Sequence, residues 1–455
     1  MKKHFLYLGP LAALAVSLLM LAYSWSPAAA VTAGVTLLCA CWWVSEALPI
    51  PVTSLLPLAV FPLAGVLSPN QIAEAYGSPF ILLLMGGFIL STAMERSGAH
   101  RQIALAMVNV FGASSPKHIV FGFMAAAATL SMWISNTATT LMLLPIALAV
   151  VQYSGDKKLA VALMLGIAYA ASVGGIGTPI GTPPNLIFIK VYSESTGTEI
   201  TFLQWMRWAV PLVIVFVPLM ALWLTRDLSK VSSIEVPSRE AWSGEQKRVL
   251  LVFALTAFMW ITRKEPFGGW SEWFDVAYAN DASVALLAVV LMFIVPNGKG
   301  GQLLDWPTAN RIPWGILFLF AGGLAIAKAF SSSGLAEALA AQLTFLTLLP
   351  VLVMMVVICI VVTFLTEITS NTATTALLMP ILAIGGTAAG VDPALLMLPA
   401  AMSASCAFML PVATAPNAIV FGSGQVTIQQ MVRKGFVLNV IGVVCVSVLC
   451  FFLLA

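Results

Sequence analysis

The sequence predicts an all-α polytopic membrane protein of two inverted repeats, with about eleven transmembrane helices and two re-entrant helical hairpins. Three observations predict it. First, the 455 residues are 60% hydrophobic and 9% charged, with a mean hydropathy of +1.00, whereas a soluble chain carries about 25% charged residues. Second, apolar runs of roughly twenty residues, the length that crosses a bilayer core, recur from Phe5 to Ala455. Third, four short motifs return in the same order at nearly one spacing. This composition excludes a large soluble enzyme, and a net charge of +3 gives no reason to expect a nucleic-acid partner.

The apolar segments fall at 5–23, 31–46, 50–67, 78–95, 118–151, 158–192, 208–225, 247–262, 282–296, 312–330, 349–389, 393–425 and 435–455. The first follows Met1-Lys2-Lys3 but lacks a small-residue cleavage site, so it reads as a membrane helix and not as a signal peptide. Segments 118–151 and 349–389 are too long for one crossing and are interrupted by Ser135-Asn136-Thr137 and Ser370-Asn371-Thr372. They read as hairpins that enter and leave on one side. Segments 158–192 and 393–425 carry Gly/Pro-rich breaks and read as crossings unwound midway. Cys39, Cys41, Cys359, Cys406, Cys445 and Cys450 lie in apolar stretches without zinc or disulfide spacing and read as small buried hydrophobes.

Charge tests this topology, because cytoplasmic loops of membrane proteins are enriched in Lys and Arg. With a cytoplasmic N-terminus and both hairpins returning to their own side, only Lys190, Arg207, Arg263, Lys264 and Lys328 of the 21 basic residues fall outside the cytoplasmic loops. A full crossing in place of the first hairpin would flip the later loops and cancel the bias. The repeat supports the same arrangement. Gly86-Gly87 matches Gly322-Gly323, Ser97-Gly98 matches Ser333-Gly334, SNTATT at 135–140 returns at 370–375, and GTPPN at 181–185 matches ATAPN at 413–417. The first hairpin then opens to the cytoplasm and the second to the outside, as in the inverted repeats of secondary transporters.

Each Ser-Asn-Thr motif puts hydroxyls and a carboxamide at a break between apolar helices. Such groups glue membrane helices together in many proteins, but two copies at matched positions, each followed by Ala-Thr-Thr, argue for a site. Unpaired backbone at membrane depth must line a cavity or be buried in protein. The N–H groups opening the second half-helix attract anions. Carbonyls closing the first half-helix, with Ser and Thr oxygens, suit a hard cation such as sodium. The broken loops 174–187 and 408–420 free further carbonyls, and Thr182 and Thr414 offer hydroxyls to a substrate. No Lys or Arg lies in either hairpin tip or either broken loop. A bound anion therefore depends on helix ends and on co-bound cations, which is a physical reason for coupling. Two intramembrane acids remain: Glu46 reads as structural or interfacial, and Glu367 as a structural hydrogen-bond acceptor near the second tip or as a proton or cation site.

At these motifs, at 46–68 (EALPIPVTSLLPLAVFPLAGVLS) and at 407–424 (AFMLPVATAPNAIVFGSG), the chain resembles the divalent anion:sodium symporter family, which carries di- and tricarboxylates and sulfate. The resemblance implies a homodimeric elevator-type transporter in a bacterial inner membrane. Its first repeat would be 1–225, with scaffold helices in 1–110 and a transport-domain hairpin and broken helix in 111–225. Residues 226–246 would be a cytoplasmic linker. The second repeat would be 247–455, with scaffold in 247–345 and transport elements in 346–455. The resemblance assigns substrate contacts to Ser135, Asn136, Thr137, Thr182, Ser370, Asn371, Thr372, Thr414 and Ala415. It assigns one sodium site to Ser131, Ser135, Asn136 and Gly181, and another to Thr366, Thr369, Ser370, Asn371 and Ala413. Many members have two prolines where this chain has Ala415-Pro416, which implies a looser backbone there.

The expected function is sodium-coupled import of a C4-dicarboxylate such as succinate, fumarate or malate, with citrate, sulfate or sodium-independent exchange as alternatives on the same fold. An intramembrane enzyme would need a nucleophile with a base, an aspartate pair or zinc ligands. His4, His100 and His118 lie near membrane edges, away from the motifs, so no enzymatic activity is expected. A channel fits two enclosed, inverted hairpins less well than alternating access.

Overall fold

In the computed structural model, which describes residues 2–111, 115–228, 241–342 and 349–454, the apolar runs fold into α-helices. The first repeat holds α1 (Lys2–Ala22), α2 (Pro27–Ser45), α3 (Ile50–Thr53), α4 (Leu56–Leu63), α5 (Pro69–Tyr76) and α6 (Pro79–Ser97). It continues with α7 (Ala99–Phe111), α8 (Pro116–Ser131), α9 (Asn136–Ser154), α10 (Lys157–Gly174), α11 (Pro183–Thr196) and α12 (Phe202–Thr225). The second repeat holds α13 (Gly244–Ile261), α14 (Gly269–Trp273), α15 (Asp281–Ile294), α16 (Trp306–Ala309), α17 (Trp314–Ser332) and α18 (Leu335–Gln342). It ends with α19 (Val351–Thr366), α20 (Asn371–Ala388), α21 (Ala394–Ser403), α22 (Ala415–Gly422) and α23 (Ile428–Leu454). Most of the expected linker, 229–240, and the expected boundary at 345–346 lie outside the described residues.

Short polar residues set where these helices start. Ser26, Ser68, Ser115, Ser135, Thr201 and Ser243 each cap a helix by accepting from a backbone N–H with the side-chain oxygen, which satisfies donors that a helix start leaves open. Gly98 and Gly334, a matched pair, follow α6 and α17 in the left-handed conformation (φ 69° and 76°), where glycine carries no side-chain penalty.

The other matched glycines are close-approach points. A methyl on Gly86 would come within 2.7 Å of the Ala285 Cβ in α15, and one on Gly322 within 2.9 Å of the Ser54 carbonyl oxygen after α3. Their neighbours face a different group of helices: Gly87 lies over Ile180 in the first broken loop, and Gly323 over Ala376 of α20. In a membrane, where water does not drive helices together, such small-residue contacts supply the packing.

The repeats interlock. α10 is buried from Leu159 to its end and α21 along its whole length. α9 packs against α22 of the other repeat, α20 packs against α11, and α12 packs against α23. A second group contains α6 with α13 and α15, and α17 with α2, α3, α4 and α5. At the ends of α12 and α13, Arg263 is 5% exposed and bridges Asp281 (2.6 Å) and Glu199 (2.6 Å).

Among the described residues, seven helical stretches are long and apolar enough to cross a membrane unaided: His4–Ala22, Pro27–Ser45, Pro69–Ser97, Lys157–Gly177, Phe202–Thr225, Trp314–Ser332 and Ile428–Leu454. The expected span at 50–67 is instead two short helices, α3 and α4, meeting at Ser54-Leu55. Pro57 near the start of α4 and Pro62 inside it cannot donate to the preceding turn, so one continuous helix does not form. The span at 393–425 is unwound midway, as expected, into the short helices α21 and α22 with turns between them.

Candidate functional site

The two hairpins turn in the same way. Helix α8 ends at Ser131 and α9 begins at Asn136; α19 ends at Thr366 and α20 begins at Asn371. Across the first tip the Ser131 hydroxyl donates to Asn136 Oδ1 at 2.6 Å. Across the second, the Thr366 hydroxyl donates to Asn371 Oδ1 at 2.5 Å. Thr140 and Thr375 donate to the carbonyls of Asn136 and Asn371, both at 2.8 Å. Both tips thus place a hydroxyl oxygen and an amide oxygen together at the turn.

Around the first tip, the loop after α10, a 3-10 turn at Gly175–Gly177 followed by further turns, folds back on itself. Gly175 and Gly181 approach so closely that a methyl on Gly181 would meet the Gly175 carbonyl oxygen at 2.4 Å. A methyl on Gly175 would meet Asn136 Oδ1 at 2.8 Å and the Gly181 carbonyl oxygen at 3.2 Å. Ser131, Asn136 and Gly181, three of the expected sodium ligands, therefore bring their oxygens to one side of Gly175. Ser135 is half-buried, with its Oγ taken by the Ala138 N–H at 3.1 Å, so it serves the helix start.

Around the second tip, Thr366 also donates to the Ala404 carbonyl at 3.0 Å. Ala404, just past α21, is thus a neighbour of this tip that the motif did not indicate. Thr369 pairs with Thr374 at 2.6 Å and donates to the Leu365 carbonyl at 2.8 Å. Ser370 is half-buried and makes no side-chain cap bond. Ala413 is buried, and its N–H reaches the Leu410 carbonyl at 3.2 Å. Oxygen ligands of this kind suit sodium.

Four helix starts carry the expected substrate contacts. Ser135, Thr182, Ser370 and Thr414 are the residues preceding α9, α11, α20 and α22, and these helices pair across the repeats. Asn136, Thr137 and Asn371 are half-buried, whereas Thr372 and Thr182 are buried. The starts differ in donors. Helix α11 opens with Pro183 and Pro184, which have no N–H, while α22 opens with the exposed Ala415 before Pro416. The Ala415 N–H is an additional donor at the second loop.

The broken loops are more tightly bonded than expected. The carbonyls expected to be free are largely engaged. The Asn185 amide donates to Gly175 at 2.9 Å and Thr178 at 2.7 Å, and Trp205 donates to Ile176 at 2.8 Å. Thr178 donates to the Met132 carbonyl at the first tip. In the second loop Asn417 donates to Ala407 and Leu410, both at 3.0 Å, and Tyr169 donates to Phe408 at 2.6 Å. The Asn of each TPPN/TAPN motif is thus a loop clamp, a role the motif's symmetry could have suggested. Glu367 accepts the backbone N–H groups of Phe408, Met409 and Leu410. The second loop is thus pinned at residues 407–410 from both sides. Glu46 caps the end of α2 in the left-handed conformation.

Two interlocked repeats of broken helices, each with a re-entrant hairpin whose polar tip faces an unwound crossing, define a secondary transporter. The chain belongs to the sodium:sulfate symporter family, whose transmembrane-region model matches residues 2–453. Its relatives include the sodium-dependent dicarboxylate transporter SdcS of Staphylococcus saprophyticus, 41% identical over 98% of this chain and 90% of that protein. SdcS of Staphylococcus aureus (strain MRSA252) is 40% identical over 92% of this chain and 85% of that protein. Among solved structures, the Alcanivorax borkumensis YdaH transporter shares the fold with a TM-score of 0.65 at 14% identity, covering 87% of this chain and 90% of that one. The Neisseria gonorrhoeae MtrF efflux pump shares it at a TM-score of 0.61 and 12% identity, covering 86% and 83%.

Proposed function

We propose that this protein is a sodium-coupled symporter that imports C4-dicarboxylates across a bacterial inner membrane, with its N-terminus in the cytoplasm and no enzymatic activity. The observation that carries the reading is the matched hydroxyl–amide pair at the two tips, Ser131 with Asn136 and Thr366 with Asn371. Each pair holds two oxygens together through one hydroxyl proton. With the hydroxyl hydrogen turned away, a sodium ion would sit between the two oxygens, with carbonyls near Gly181 and Ala404 or Ala413 completing each set.

The substrate's two carboxylates would meet the helix starts at Ser135, Asn136, Thr137 and Thr182 and at Ser370, Asn371, Thr372, Thr414 and Ala415. N–H groups there carry partial positive charge, and the full positive charges come from sodium. Sodium therefore raises anion affinity, and the anion raises sodium affinity by the same factor. Cross-repeat packing of α9 on α22 and α20 on α11 supports a single mobile unit built from 111–225 and 346–455. It would move as an elevator against scaffold regions 1–110 and 247–345 of a homodimer.

The names of the relatives at 40–41% identity favour a dicarboxylate over the sulfate in the family's description. Purified protein in liposomes should take up labelled succinate only with an inward sodium gradient, and excess citrate or sulfate should compete weakly. Equal uptake in potassium alone would overturn the symport reading, and stronger competition by sulfate would overturn the substrate.

A further inference from the structure

We propose that Trp133 is a positioning residue that docks the first hairpin tip onto helix α13, and that this dock opens in each transport cycle. The proposal rests on reading 111–225 and 346–455 as a unit that moves against 1–110 and 247–345. Trp133 lies in the tip itself, between Ser131 at the end of α8 and Asn136 at the start of α9. Its ring stacks on Phe202 of α12, with centroids 6.1 Å apart and planes 15° apart. It also meets Phe253 of α13 edge-on, at 5.9 Å and 83°. Phe202 stacks in turn on Trp260 of α13, at 5.1 Å and 12°. Stacked and edge-on pairs are the favoured arrangements of aromatic rings. Trp133 and Phe202 belong to the moving unit, and Phe253 and Trp260 to the scaffold, so two of these three ring contacts cross the boundary.

Helix α13 is patterned for this contact. Val249, Phe253, Thr256 and Trp260 recur at helical spacing and are buried, while Leu251, Leu255 and Phe258 face outward. Trp260 is held in place, because its indole N–H donates to the Asp281 carbonyl at 2.9 Å. The Asp281 carboxylate takes Arg263 at 2.6 Å. Arg263 and Lys264 reach back to Glu199 of the moving unit, at 2.6 and 2.5 Å, three residues before Phe202. Rings at one end and ion pairs at the other therefore join the same two surfaces. The Glu199 side chain is 45% exposed, and exposed pairs contribute little. Phe202 and Trp260 are each 1% exposed, so the rings set the strength of the dock.

The second tip has no such dock. At the repeat spacing of the two Ser-Asn-Thr motifs, the position of Trp133 is taken by Ile368, which is 66% exposed. The tips match in their oxygens and differ in what their apolar residue touches, so this conformation is docked at one tip alone. The turn that seats Trp133 is the turn that gathers Ser131 and Asn136, and the Met132 carbonyl between them accepts from Thr178 of the first broken loop. The ring's seat thus depends on the same short stretch as the first cation position.

Cross-linking Glu199→Cys to Lys264→Cys with a short bifunctional thiol reagent reads the docked population at the end of the contact away from Trp133. In this parent protein, sodium with succinate should slow the reaction severalfold, because the dock opens during turnover. Adding Trp133→Ala should slow it at least about fivefold without substrate, as expected for losing two aromatic contacts. Trp133→Phe, which keeps a ring, should stay within about twofold of the parent. Phe253→Leu changes only the scaffold side and should slow the reaction likewise, which tests the dock even where Trp133→Ala fails to fold. Adding it to Trp133→Ala should slow the reaction little further, since both break one contact. A parental rate in Trp133→Ala or in Phe253→Leu, or equal slowing by Trp133→Phe and Trp133→Ala, would overturn the proposal. Full succinate uptake by the cross-linked parent would overturn it as well. A parent whose cross-linking ignores sodium and succinate, yet slows with Trp133→Ala, would instead remove the underlying reading of a moving unit.

Discussion

At the scale of single residues, the two asparagines carry the most. Asn136 and Asn371 each give an amide oxygen to the tip and a backbone carbonyl to a threonine one turn on. Removing a hydrogen-bonding group from a charged partner costs about 1.5–3 kcal/mol. Asn136→Ala and Asn371→Ala should therefore each lower succinate uptake at least about tenfold, with normal elution on size exclusion. Unchanged uptake in either variant would strip that tip of its role. Ala415 tests a finer point. Proline fits the first turn of a helix, so Ala415→Pro should fold normally while losing one N–H donor. The expected result is a severalfold rise in half-saturating succinate with little change in maximal rate, and an unchanged value would exclude the Ala415 N–H from the site.

Helices and loops decide what can move. Gly323 meets Ala376 of α20 with no room for a side chain, since even a methyl would lie 2.8 Å from the Ala376 Cβ; at Gly87 the nearest atom, on Ile180, is 3.5 Å away. Overpacking costs about 1–3 kcal/mol. Gly323→Val should slow uptake markedly while sodium and succinate still stabilise the protein against heat, and Gly87→Ala should do so less. Equal uptake in the two would argue against a tight contact there. The sequence marked these elements well, because hairpins, breaks and glycines are local signals. SNT after an apolar run, and GTPPN before another, each state where a helix stops and starts. What holds the loops was not legible. Tyr169 reaches Phe408 across 239 positions, Trp205 reaches Ile176, and Thr366 reaches Ala404, and no local pattern encodes such pairings. The split of 50–67 into α3 and α4 was written in Pro57 and Pro62, but high hydropathy outweighed the prolines in the expectation.

For the whole molecule, the question is which surfaces separate during transport. Between α11 and α20 on one side and α17 and α18 on the other lies a crevice of about 630 Å³, lined by Glu194, Lys328, Glu337 and Thr387 among others. Ion pairs flank it: Lys328 binds Glu74, and Lys190 binds Glu194 at 2.7 Å while lying 5.7 Å from the Phe80 ring of α6. Surface pairs of this kind are worth about 0–1 kcal/mol each, weak enough to break in each cycle. If α11 and α20 slide past α17, the crevice changes shape. Joining Glu194→Cys to Lys328→Cys with a bifunctional thiol reagent should then halt uptake, with recovery on reduction. Full uptake in the cross-linked protein would argue for a static interface.

The proposed pairing of one cation position with each hairpin would have a thermodynamic consequence. Two monovalent ions travelling with one divalent anion sum to zero charge. Such a cycle would ignore the membrane voltage and draw on the sodium ratio twice. A tenfold sodium ratio, about 1.4 kcal/mol for each ion, would then support a succinate ratio of about a hundredfold at equilibrium. Setting the liposome voltage with potassium and valinomycin at a fixed sodium ratio should leave uptake unaltered, and a clear acceleration at negative interior voltage would require a third ion.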